Sequence, residues 1–199
     1  FILNLGLEAG YIFGWGGDNI RLTDRFFLGE PRMRGFDIRG IGPRVIRRYY
    51  DSTSASDPAD YTLLTDNSGA QDDSIGGETY YQVRGEVQIP LSAGAAEMGL
   101  RPSIFVDVGA LWNTNFNPST DLQDIRQIQT GIDANGDPTY QAGFKEFYLG
   151  DTWKPRVAVG FGVNWNSPFG PFRIDVAKAL VKQDGDDTKL FQFNVGTQF

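Results

Sequence analysis

From its first residue the chain alternates. In FILNLGLEAGYIFGW the odd positions are Phe1, Leu3, Leu5, Leu7, Ala9, Tyr11, Phe13 and Trp15, and the even ones include Asn4, Gly6, Glu8, Gly10 and Gly14. Successive side chains of an extended strand point to opposite faces, so alternation of this length predicts a strand with one apolar and one small or polar face. The pattern returns along the chain. In YYQVRGEVQIPL, Tyr81, Val83, Val87, Ile89 and Leu91 oppose Gln82, Arg84, Glu86 and Gln88; in SIFVDVGALW, Ile104, Val106, Val108, Ala110 and Trp112 oppose Ser103, Phe105, Asp107 and Gly109. RVAVGFGVNW, FRIDVAKAL and KLFQFNVGTQF repeat it, the last with Phe191, Phe193, Val195 and Phe199 against Gln192, Asn194, Gly196 and Gln198. The predicted strands cover about 1–15, 78–91, 102–113, 155–166, 171–181 and 189–199. They are long for a globular sheet and match the length that crosses a bilayer at a tilt.

Periodicity does not say which face is wet. In a soluble sandwich the apolar face turns inward; in a membrane barrel it meets lipid and the polar face lines the lumen. Two features favour the barrel. Tyr11, Phe13, Trp15, Tyr81, Trp112, Trp165, Phe172 and Phe199 lie toward strand ends on the apolar face, where aromatic girdles meet the lipid interfaces. The connections 16–77 and 114–154 are long, whereas 92–99 and NSPFGP are short, the asymmetry of barrels with long external loops and tight periplasmic turns. Most of the 25 acidic residues fall in the long connections and in KQDGDD, so the negative charge belongs to solvated loops. Six strands do not close a membrane barrel: an edge leaves backbone groups unpaired in hydrocarbon, and the smallest single-chain barrels have about eight strands. The expected fold is therefore all-β, an antiparallel transmembrane β-barrel portion completed by further strands or by association. Outside detergent the isolated chain, with two open edges, is expected to aggregate or pair edge to edge.

Composition narrows the chemistry. The 199 residues suffice for one sizeable domain, and no apolar run approaches the ~18 residues of a membrane helix. A net charge of −7 argues against nucleic acid as a partner. There is neither Cys nor His, which removes Cys/His zinc sites, Ser-His-Asp and Cys-His catalysis, and disulfides. Asp133, Asn135 and Asp137 in DANGD imitate the start of a calcium loop, but Gly136 is out of place and Phe144 stands where a bidentate Glu is required, so a plain turn is expected. Glu8 and Asp175 lie on the polar face and could be written as an acid and a base, but lumen polarity accounts for both. No phosphate loop or nucleophile motif is present, and no enzyme activity, metal or cofactor is expected. DNSGAQDDSIGG reads as a mobile acidic segment. Phe1 opens directly into a strand with no charged leader or cleavage site, so a mature product or an excised fragment without a signal peptide is expected.

One segment stands apart. RMRGFDIRGIGPR, residues 32–44, puts four arginines and three glycines into a long connection of an acidic chain. RGF and then IGPR in that loop, FVDVG in a later strand, NWNSPFGPFRIDVAKAL, and a terminal FQFNVGTQF together resemble the C-terminal part of the barrel in the BamA family of outer-membrane β-barrel assembly proteins. The resemblance covers essentially the whole chain and is weakest over 45–75 and 114–154. It implies a sixteen-stranded barrel of which this chain supplies the last six strands. It also implies the outer membrane of a Gram-negative bacterium, and a loop, the family's sixth external one, that folds back into the lumen. Periplasmic POTRA domains, accessory assembly lipoproteins, outer-membrane lipids and client β-barrel proteins are the partners that follow from it.

Glu86 and Asp107 lie on the polar face of successive strands, and a loop dipping into the barrel could bring Arg34 to both. A planar guanidinium suits such bidentate contacts. The resemblance implies this pairing, with Gly35 approaching the wall or taking positive φ and Phe36 packing in the lumen. On the residues alone, Arg34 is one of several arginines on a solvated loop, where most charges do little. Arg32, Arg39 and Arg44 receive no role. At the C-terminus, Phe191, Phe193, Gly196 and Phe199 form the signal-like last strand, and the resemblance implies that it meets the first barrel strand at a weak seam where client strands enter by β-augmentation. The function expected is folding and insertion of client barrels without chemical catalysis. The alternatives are a two-partner-type secretion pore of the same superfamily and a passive porin or adhesin barrel.

Overall fold

The computed structural model describes residues 1–64, 70–92, 94, 97–168 and 170–196. Phe199, and the part of the acidic stretch at 66–69, lie outside the described residues. The strands in chain order are β1 (Ile2–Tyr11), β2 (Arg44–Asp51), β3 (Thr62–Leu63), β4 (Gln71–Ser74), β5 (Thr79–Gln88), β6 (Leu100–Trp112), β7 (Asp124–Ile132), β8 (Pro138–Leu149), β9 (Arg156–Ser167), β10 (Gly170–Val181) and β11 (Phe191–Val195). They fall into two units. One takes Phe1–Pro43, Ser74–Thr114 and the chain from Gly150 onward, the other Arg44–Asp73 and Asn115–Leu149.

The first unit is a six-stranded sheet in the order β1-β5-β6-β9-β10-β11, antiparallel at every step. Each strand overlaps one of the six spans read from alternation, with different ends: β1 stops at Tyr11, short of Trp15, and β11 is Phe191–Val195. The register explains why they pair this way. Leu3, Val87, Ile104, Phe161, Val176 and Phe191 are successive cross-strand partners, an apolar row running the width of the sheet. On the other face Gln88, Ser103, Gly162, Asp175 and Gln192 form the matching polar row. A slip of one residue in any strand would exchange the two faces.

Which row is exposed decides the class. Ile104, Phe161, Val176 and Phe191 are 46–54% exposed, whereas Ser103, Asp175 and Gln192 are at most 1% exposed. Leaving such a row in water would forfeit roughly half of the 1.5–3 kcal/mol that full burial of each large apolar side chain brings, so this is a face for lipid to cover. The charged face is the inner one. It is closed by residues 26–43, whose Leu28, Met33, Phe36 and Ile41 form the buried core with Leu111 and Ala158 of the wall. The core of this unit is thus a plug seated on the polar side of its sheet. Among the described residues β1 pairs only with β5 and β11 only with β10, leaving two sheet edges.

The second unit comes from the two stretches read as long connections. It is a sheet in the order β3-β2-β8-β7, with β4 also pairing β2. Its strands mix charge and aromatic residues on each face, which hides them from an apolar/polar count. The guanidinium of Arg47 lies 4.0 Å over the Phe144 ring and that of Arg126 4.4 Å over Tyr50. Arg47 Nη2 also reaches Glu146 Oε1 at 2.6 Å. Tyr50 donates to Asp124 Oδ1 at 2.6 Å, tying β2 to β7 across β8.

Candidate functional site

Arg34 is held on the inner face by the segment around it. Met33 and Phe36 are fully buried, so hydrophobic burial on either side carries the arginine onto the charged face of the sheet. Gly35 adopts φ +83°, and a Cβ there would lie 3.0 Å from Ala158 Cβ and 3.3 Å from Ala177 Cβ. Only glycine takes both that backbone and that proximity readily. The carbonyl of Gly35 accepts the Lys189 N–H at 3.1 Å, and that of Phe36 accepts Gln192 Nε2 at 2.9 Å.

Each of the three guanidinium nitrogens of Arg34 donates to a carboxylate. Its Nε and Nη2 donate to Asp107 Oδ2 and Oδ1, each at 2.7 Å, and Nη1 donates to Glu86 Oε2 at 2.5 Å. The Arg34 backbone N–H adds a third bond to Asp107 at 3.1 Å. Underneath, the guanidinium carbon sits 3.5 Å from the Phe105 ring centre, so one face of the cation is covered by an aromatic surface. Arg34, Glu86 and Asp107 are 4%, 7% and 0% exposed. Buried charges of this kind persist only when paired and hydrogen-bonded, which is what this geometry provides.

The site is a set of charge-assisted hydrogen bonds between the loop and two wall strands. What it can do is hold a loop against a wall. The structure therefore brings together Arg34, Gly35, Phe36, Glu86 and Asp107. The C-terminal group lies apart: Phe191 and Phe193 are half exposed on the outer face, with Phe193 stacked on Phe172 at 5.9 Å. Gly196 follows β11 at φ +155° and donates to Pro171 O at 3.2 Å.

The Omp85 superfamily domain matches residues 1–199. The chain belongs to the Omp85 superfamily. It is 33% identical over 198 residues to the outer membrane protein assembly factor BamA of Neorickettsia risticii and 26% identical over 202 residues to that of Neisseria meningitidis. All of this chain is covered in each case, but only 20% and 22% of those relatives. Among solved structures, BamA from Haemophilus ducreyi lacking POTRA domains 1–3 superposes with a TM-score of 0.62 at 23% identity, over 96% of this chain and 30% of that one. The antiparallel barrel portion expected from alternation, aromatic girdles and loop asymmetry is thus the fold, and the resemblance to BamA barrels holds over the full chain. As an Omp85 chain it is an outer-membrane protein of a Gram-negative bacterium.

Several residues of this site carry no motif in the sequence. Arg173 donates through Nη1 and Nη2 to Glu86 at 3.2 and 3.1 Å and through Nε to Asp175 at 2.8 Å. Arg84 lies 3.9 Å from Asp107. Phe105 was read only as an apolar residue on the polar face. The available signal was Arg173 and Asp175 two apart on that face of FRIDVAKAL, facing a sheet that alternation had already oriented. The other loop arginines also find partners. Arg32 reaches Glu8 at 2.5 Å and Tyr80 Oη at 3.1 Å, while its carbonyl accepts from Gln82 and Arg84. Arg44 pairs with Asp72 at 2.7 Å, and Arg39 stacks 4.5 Å over Phe27. In DANGD, Asp133 Oδ1 accepts the backbone N–H groups of Asn135 and Asp137 at 2.8 and 2.9 Å, closing a turn.

Proposed function

We propose that this chain is the C-terminal part of a sixteen-stranded barrel that folds and inserts client β-barrel proteins into the outer membrane, without chemical catalysis. Residues 26–43 act as a lumenal latch, with Arg34 as its key and Glu86 and Asp107 as its wall partners. The terminal strand, with Phe191, Phe193, Gly196 and Phe199, forms one side of a seam to which client strands add by backbone pairing. Outer-membrane lipids, accessory lipoproteins and periplasmic POTRA domains are its working partners. The observation that carries this reading is the burial of Arg34 between two carboxylates on adjacent wall strands, which clamps the loop to the wall. The names of the relatives, outer membrane protein assembly factors, support the same assignment.

The test is Arg34→Ala in the native protein. Removing the guanidinium leaves Asp107 with Arg84 at 3.9 Å as its remaining ion-pair partner, a cost of up to about 3–5 kcal/mol to the seated loop. The expected result is a loop that becomes reactive to modification and cells whose other outer-membrane barrels fall in abundance. Unchanged loop protection would overturn the latch. Normal barrel abundance on depletion, with steady ion conductance or loss of one secreted partner, would assign a porin or a secretion pore instead.

A further inference from the structure

The two guanidiniums on Glu86 come from different places. Arg34 arrives on the loop, and Arg173 belongs to the wall. Both donate to the same oxygen, Glu86 Oε2, at 2.5 and 3.1 Å. Among the described residues Arg173 is otherwise held by wall groups: Asp175 Oδ1 and Oδ2 at 3.0 and 2.8 Å, Glu86 Oε1 at 3.2 Å and Asn164 Oδ1 at 3.2 Å. Clearance for it is built into β9, where a Cβ at Gly162 would meet Arg173 Nη2 at 2.9 Å and Asp175 Oδ1 at 2.3 Å. The charges form one alternating chain, Arg84, Asp107, Arg34, Glu86, Arg173 and Asp175.

We infer that Arg173 is a standby counter-ion that makes the latch releasable. The inference rests on the latch reading above. When the loop leaves, Glu86 keeps Arg173 and Asp107 keeps Arg84, so neither carboxylate is left bare in the lumen. While the loop is seated, Arg173 is a like charge facing Arg34 across a shared oxygen, and it weakens the grip of Glu86 on Arg34. Both effects shift the balance toward release, and both have the opposite sign to a packing role. An arginine that merely braces the wall would, when removed, loosen the loop. Removing this one tightens it, because the site becomes more negative and the departing Arg34 leaves Glu86 and Asp175 uncompensated.

The experiment uses the native protein in outer-membrane vesicles carrying Met33→Cys, a fully buried position of the seated loop, in a background where residues 1–199 hold no other cysteine and any cysteine elsewhere in the protein is replaced by Ser. Thiol labelling then reports loop release. Arg173→Gln is expected to slow labelling on the order of tenfold, the scale on which one charge couples to another at a partly wet site. Arg173→Lys, which keeps the charge, stays near the parent rate. Asp175→Asn, which turns more of the Arg173 charge toward Glu86, speeds labelling. Faster or unchanged labelling in Arg173→Gln overturns the inference. If that variant fails to fold, the Asp175→Asn result decides, and slower or unchanged labelling there overturns it. Arg34→Ala in the same background separates the two readings: failure to speed labelling sinks the latch itself, whereas faster labelling with the wrong Arg173 or Asp175 response sinks only the standby role.

Discussion

Gly35 offers the most direct physical test of how the loop is seated. Gly35→Ala adds one methyl group at φ +83°, where an L-residue is disfavoured by about 1–2 kcal/mol. The same methyl group lands 3.0 Å from Ala158 Cβ and 3.3 Å from Ala177 Cβ, on β9 and β10. Those carbons are fixed to a hydrogen-bonded wall and cannot rotate away, so overpacking adds about 1–3 kcal/mol. The sum, about 2–5 kcal/mol, falls on the seated loop and not on the strand ladder. It lowers the seated-to-released ratio by at least about thirtyfold. The assay is thiol labelling of Met33→Cys in membrane vesicles, with heat-dependent gel mobility as the check that the barrel is intact. Gly35→Ala is expected to label at least about thirtyfold faster at unchanged mobility. Adding Ala158→Gly relieves the closer contact and leaves the backbone strain, so it should recover part of the loss. Labelling within about twofold of the parent, or no recovery with Ala158→Gly, would refute the reasoning, since twofold is well below the ~1.4 kcal/mol of a tenfold change.

Two further predictions concern regions beyond the latch. Arg156 and Asp186 form an ion pair whose side chains are both 0% exposed, at 3.0 Å, and Arg156 also donates to the carbonyls of Gly150 and Thr152. Arg156→Ala should cost about 3–5 kcal/mol locally by stranding Asp186, and should open the 182–188 connection to trypsin at Lys182. Arg156→Met with Asp186→Leu should be milder, and equal cleavage of the single and double variants would contradict this. Outside the wall strands, burial and the bond to Asp124 push the Tyr50 hydroxyl up to about 12, while the bond from Tyr50 holds the Asp124 carboxyl below its usual range. Because the Tyr50 value is raised, its contribution is complete below the ordinary tyrosine value and is lost as pH rises toward about 12. Because the Asp124 value is lowered, its contribution is present above the ordinary carboxylate range and is lost as pH falls. Tyr50→Phe should flatten both limbs, read from the pH dependence of amide-exchange protection in β2 and β7; an unchanged profile would refute the coupling.

Alternation along the chain determined the six wall strands, their two faces and the side on which the charges lie. It could do so because the side-chain period of a strand is two, and that period survives whatever the strand packs against. RGF and the two carboxylates were legible as types of residue on known faces. Their meeting was not, because Arg34 is 52 positions from Glu86 and 73 from Asp107, and no local rule spans such distances. The place of Arg173 was hidden for the same reason: β5 and β10 are separated by β6 and β9 in the sheet, and only the inward turn of that face brings Glu86 and Arg173 into contact. The sheet β3-β2-β8-β7 escaped because its strands are held by arginine–aromatic stacking and ion pairs, which leave no apolar period to read. A one-dimensional pattern records which way each side chain points. Only the folded sheet, with residues 26–43 seated on its charged face, decides which of those side chains share an oxygen.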